Sequence, residues 1–178
     1  MDKNDNDPGS GHAMALPQGD LRLLESDVAR RLLTSTIPAR LAYIARDGTP
    51  RIVPTWFHWT GDELVMPTFL AGAHVRHPAA RLAALRANPA VGISIDTESF
   101  PPEVLLVRGR VSLTEVDGVV PEYALAARRY LGEEAAASYL AQIDQPDTRM
   151  ARIALRPAWV GIVDFQRRSP SALGGVSG

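Results

Sequence analysis

The chain has 178 residues, 46% hydrophobic and 22% charged, with a formal net charge of −1 and no cysteine. That length supports one domain with its own core. The near-neutral charge excludes a general nucleic-acid binder, and the missing thiols exclude disulfides, thiolate nucleophiles and cysteine metal sites.

Residues 1–18, rich in Asn, Asp, Gly and Pro, read as a disordered leader. They lack the basic start and apolar middle of a signal peptide. No apolar run reaches the ~20 residues that span a bilayer. A cytoplasmic protein without membrane contact is expected.

Asp20–Ser35 predicts the first helix: Leu24, Val28 and Leu32 recur at i+4, and Pro38 stops it. ARLAYIARDGTPRIVPTWFHW predicts two strands joined at Asp47-Gly48, a strong hairpin signal. Thr60-Gly61-Asp62 is a second turn and Glu63–Thr68 a third strand, so these strands are expected to form a meander. After a loop with two histidines, Pro78 opens a helix that closes at Asn88. Val91–Asp96 predicts a strand. Val104–Val116 predicts a long one, with Leu105, Val107, Val111 and Leu113 on one face and Arg108, Arg110, Ser112 and Thr114 on the other.

Pro121–Leu131 and Glu133–Ile143 predict helices separated by Gly132. Arg152–Phe165 is the last strand, with a bulge or edge at Pro157. Residues 168–178 read as a flexible tail. About six mostly antiparallel strands with inserted helices make an α+β domain over 19–167, a small barrel whose closure removes exposed edges. The helical insert occupies 118–143.

No G-x-S-x-G elbow exists, and no serine has a base nearby in sequence. His74 and His77 stand three apart, but their Ala, Val, Arg and Pro neighbours add no ligand, so no metal site is expected. Arg51, Arg76 and Arg81 bracket the meander and the following helix, where an arginine fork and a helix N-terminus together suit phosphate. The plain alternative is that their stems cover apolar surface. In RIVPTWFHW one side carries Val53, Thr55, Phe57 and Trp59, the other Ile52, Pro54, Trp56 and His58. Neither is a simple polar face. The strand is either covered on both sides or lies against a flat ligand such as a flavin ring, with Pro54 and Pro67 leaving backbone groups free.

The order DGTPRIVP, ELVMPT, a helix ending LRANPAV and then LLVRGRVSL resembles the pyridoxamine 5′-phosphate oxidase-like, FMN-binding split-barrel superfamily, over about Leu21 to Phe165. The helical insert is similar to that of actinobacterial members. The resemblance implies a six-stranded antiparallel split barrel, a homodimer, and FMN or a deazaflavin in the dimer interface. It implies that Arg51, Ile52, Val53, Pro54, Thr55 and Trp56 line the ring, and that Met66, Pro67 and Thr68 contact ribityl or phosphate. Counting back from Asn88, it places a phosphate-gripping residue at Arg81, with His74 and Arg76 as alternatives. The implied activity is an oxidoreductase acting on a small molecule by hydride transfer. The chain departs from true pyridoxamine phosphate oxidases at RPAWVGIVDFQRRSPSALGG, which lacks their arginine-rich close, so vitamin B6 oxidation is not expected. The catalytic acid is unassigned; Tyr43 and His58 are the candidates. A non-catalytic flavin or haem carrier, with His58 or His74 as haem ligand, is the alternative.

Overall fold

The computed structural model of the chain describes residues 16–73, 75, 76 and 80–165. The first helical region is not one helix. A 3-10 turn, Leu21–Glu25, gives way at Ser26 to α1, Asp27–Thr34. Ser26 is extended, and its hydroxyl accepts a hydrogen bond from the Ala29 amide, 3.2 Å. A serine that caps the next turn competes with continuing the previous one, and here the cap wins. The result aims Val28, Ala29, Leu32 and Leu33 into the core.

The strands are β1 (Ala39–Ile44), β2 (Pro50–Thr55), β3 (His58–Trp59), β4 (Leu64–Val65), β5 (Thr68–Ala71), β6 (Ala90–Asp96), β7 (Glu103–Asp117) and β8 (Arg149–Asp164). The expected six become eight because two of them break, one at Trp56-Phe57 and one at Met66-Pro67, where proline lacks an N–H for the ladder. The sheet order is β2-β1-β6-β7-β8-β4-β3, with β5 also on β8. β1 and β2 form the expected hairpin, with Gly48 at φ 79° in its turn. The second expected turn, at Thr60-Gly61-Asp62, also forms and pairs β3 with β4, but the break at Trp56-Phe57 parts that hairpin from β2, and β4 goes on to join β8.

β2 and β3 are the two ends of the sheet, yet only Trp56 and Phe57 separate them in the chain. Three Cα–Cα steps span at most about 11 Å. The sheet must therefore curl until its first and last strands are neighbours. No ladder bonds join β2 to β3, so the barrel is split along that seam. Leu41, Leu64, Ile95, Leu105, Ile153 and Leu155 fill its interior, all fully buried. Burying each such side chain contributes about 1.5–3 kcal/mol. The β7–β8 register shifts between Arg108 and Gly109, opposite Pro157, where the bulge was expected.

The helix α2, Ala80–Ala87, buries Leu82, Ala84 and Leu85; its expected start at Pro78 lies outside the described residues. The insert forms α3 (Pro121–Leu131) and α4 (Glu133–Ile143), turned at Gly132 with φ 83°. No helix among the described residues is long and apolar enough to cross a membrane. Residues 16–18 of the expected leader are held against the barrel, while 1–15 lie outside the described residues. Leu16 packs on the core, Gln18 exchanges two hydrogen bonds with the Ile162 backbone (2.9 and 3.0 Å), and the Gly19 amide donates to Val160 O at 2.7 Å. The Gln18 amide thus stands in for a neighbouring strand along a stretch of β8 that β4 and β5 do not reach.

Candidate cofactor edge and anion site

The Ala45 amide donates to Thr49 O at 2.9 Å, which makes 45/49 a hydrogen-bonded pair. Alternation along the register then makes 43/51, 41/53 and 39/55 bonded pairs and leaves 44/50, 42/52 and 40/54 unbonded. Pro50 and Pro54 therefore occupy positions whose N–H would point away from β1, and neither costs the ladder a bond. Between them only Ile52 presents an outward N–H. Its carbonyl points the same way, and its side chain is 71% exposed. Among the described residues β2 has no second partner strand, so this is a free backbone edge with a single donor.

Arg81 stands in the first turn of α2, which packs against β1. It is half-buried, and its Nε is buried without a hydrogen-bond partner among the described residues. Burial pushes its guanidinium pKa down, and the nearby Tyr43 side chain opposes that shift. Tyr43 is the register partner of Arg51 on β2. The fold thus sets an under-satisfied cation, on a helix N-terminal turn, beside the hairpin that carries the Ile52 edge. A buried charge with an orphaned donor is stabilised by an anion, and the helix dipole has the same sign preference.

The other arginines differ. Arg51 is bound across its own turn: Nη2 meets Asp47 Oδ2 at 2.8 Å and Nη1 donates to the Thr49 hydroxyl. It staples its own turn. Arg76 is exposed, and His74 lies outside the described residues, as does His77.

Several expected ring contacts have other duties. Val53 packs on the barrel core. Thr55 and Thr68 are half-buried, and the Thr55 hydroxyl donates to Trp56 O at 3.2 Å. Pro54 is exposed on the sheet edge. Met66 is fully buried, its amide bonded to Ile153 O at 2.8 Å, and Pro67 is buried beside it. The Met66 and Pro67 side chains are thus part of the core. Trp56 has packing contacts of its own. It turns under the helical insert and stacks on Tyr130, with centroids 4.9 Å apart and planes 4° from parallel. Tyr123 and Tyr139 complete that cluster, their hydroxyls 2.7 Å apart, and burial pushes the Tyr123 pKa up. Sequence reading missed this wall. Its one signal was Tyr123 and Tyr130 seven apart on a single helix, which puts them on one face.

The outer face of β2, β1, β6 and β7 carries a shallow apolar groove of about 260 Å³, floored by Ala42 and Gly92 and flanked by Ile52 and Leu106. Arg40 at its rim is neutralised by Asp96 at 2.6 Å. Arg108 lies on the Trp159 ring, 4.0 Å from its centroid.

No family model matches the chain, and no curated protein matches it. Solved structures do. An F420 reductase is 27% identical, with TM-score 0.53, over 73% of this chain and 93% of that one. A general stress protein 26-related protein of the pyridoxinephosphate oxidase family from Clostridium acetobutylicum is 14% identical, with TM-score 0.51, over 80% and 87%. A heme binding protein from Mycobacterium smegmatis is 21% identical, with TM-score 0.51, over 76% of this chain and 52% of that one. The chain has the pyridoxamine 5′-phosphate oxidase-like split-barrel fold. In this split barrel the seam between β2 and β3 and the insert α3–α4 cover some of the candidate side chains and leave others exposed.

Proposed function

We propose that the chain is an oxidoreductase that holds a phosphate-bearing flavin-type cofactor, FMN or a deazaflavin, along the Ile52 edge of β2. The observation that carries this reading is the buried, unpartnered Nε of Arg81 beside the same hairpin. The residues fit the group. Arg81 and the α2 N-terminal turn take the phosphate. The Ile52 N–H and C=O address the polar edge of the ring, and the prolines on either side prevent another strand from claiming that edge. When bound, the cofactor supplies hydride transfer at its ring. The chain binds it, orients it and keeps water from it.

The deazaflavin form is favoured by the 27% likeness to an F420 reductase. Separate titrations with FMN and with the deazaflavin decide between them, since the tighter binder alone should support turnover with a small-molecule substrate.

The functional unit is a homodimer in this reading. The apolar outer groove at Ala42, Gly92, Ile52 and Leu106 adjoins the Ile52 edge, and its nearby charge at Arg40 is already neutralised. Two copies packed on this face would bury the groove and cover the cofactor. An absorbance spectrum of the purified protein is the first test. A flavin or deazaflavin band supports the proposal. A Soret band would replace it with haem binding, and protein that neither carries nor takes up any of these cofactors overturns it.

A further inference from the structure

A second cavity, unrelated to the Ile52 edge, lies between α1, β3 and α3. It measures about 400 Å³ and is lined by Leu33, His58, Trp59, Leu125, Arg128 and Arg129. Its charge is one-sided. The Arg129 guanidinium sits 4.5 Å over Phe57 and 4.9 Å over Tyr130, and it donates to the carbonyls of Leu33 (3.1 Å) and Phe57. Its Nε is buried and unpartnered, and among the described residues no carboxylate pairs with it. The single acid on the wall, Glu133, has an 83% exposed side chain and meets Arg128 at 3.4 Å, an ion pair that water screens heavily. Glu122, the acid that acts on His58, is held by Arg152 at 2.8 Å. The His58 imidazole is half-buried and has no hydrogen-bond partner among the described residues.

We propose that this cavity binds a small organic carboxylate with an apolar body, its carboxylate between Arg128 and the His58 ring N–H and its body against Trp59, Leu33 and Leu125. Two cations facing one screened acid leave a positive potential over an apolar floor. A carboxylate supplies the missing counter-charge, and an aromatic or branched body fills the rest. The volume suits a molecule of that size. Arg128 can leave Glu133 at little cost, because an exposed pair contributes only about 0–1 kcal/mol. Arg129 acts through its field, since its Nη donors are already committed to carbonyls.

Benzoate and benzyl alcohol are the probes. The His58 C2–H proton resonance is assigned by its loss in His58→Gln and followed by NMR in the full-length protein. Benzoate should move that resonance saturably and raise the midpoint of its pH titration, because a bound anion favours the imidazolium. Benzyl alcohol should not raise the midpoint. Arg128→Gln, on a largely exposed side chain, should weaken benzoate about tenfold or more. Leu125→Trp, which fills the mouth, should abolish the shift. The proposal is overturned by the absence of a saturable shift, by a shift that equal sodium chloride reproduces, or by benzoate affinity unchanged in both variants.

Discussion

Trp56 lies flat against Tyr130, their ring centroids 4.9 Å apart. The contact ties the strand break after β2 to the helical insert, and Arg129 beside it bonds back to Leu33 and Phe57. The insert is thus part of the barrel's packing. Tyr130→Ala should lower unfolding stability by about 2–4 kcal/mol, measured by urea denaturation. Tyr130→Phe keeps the ring stacking and loses the hydroxyl, whose bond to Ile37 O contributes about 1 kcal/mol. Trp56→Leu should change stability more than it changes cofactor affinity.

Arg81 predicts opposite signs for stability and binding. Removing a buried cation with an orphaned donor relieves a desolvation penalty, so Arg81→Met should leave the cofactor-free protein equally stable or more stable. The same change should weaken FMN or deazaflavin binding by about 1.5–3 kcal/mol, the worth of a charge-assisted hydrogen bond. Thermal unfolding with and without cofactor checks both signs. A variant that loses stability without cofactor and binds it normally would assign Arg81 to packing.

Ile52 is 71% exposed at the free edge of β2 and beside the apolar outer groove. Ile52→Glu should fold normally as a monomer, because its side chain contributes little to the barrel interior. It should weaken self-association by at least tenfold in sedimentation equilibrium, since a charge would be buried against an apolar face. Unchanged dimerisation would move the interface elsewhere.

His58 gives a pH signature. Burial first, and Arg129 second, hold its folded-state pKa below the ordinary 6.5. Below that ordinary value the unfolded chain takes the proton before the folded one does. Stability should therefore fall as pH drops through about 6.5, and this contribution stops changing once the folded imidazole is also protonated. Denaturation of the wild type and of His58→Gln across pH 5–8 isolates the effect: the slope from this residue should vanish in the variant.

The strands of the large sheet were legible because their signals are local. Leu105, Val107 and Val111 alternate with Arg108 and Arg110, and burial follows that alternation residue by residue. Asp47-Gly48 forms its hairpin, and Gly132 parts two helices where it was expected to. The Ser26 break was missed because a cap and a helix-interior serine look alike until the flanking turns are packed. The break at Trp56-Phe57 was not legible because β4 takes β8 as its second neighbour, and β8 comes far later in the chain.

The sequence by itself determined the α+β character, the order of strands and helices, the hairpin with prolines at alternate positions, and the arginine in the first turn of α2. Each rests on periodicity, turn chemistry or composition, which act over a few residues. Only the tertiary structure decided which candidates are available to a ligand. It buried Met66 and Pro67, bound Arg51 to Asp47, folded Trp56 under Tyr130, and left Arg81 Nε and the Ile52 edge without partners. Burial and partner choice are set by contacts between segments far apart in the chain. No local pattern carries that information, so residues that look equivalent in PRIVPTW end up with different roles.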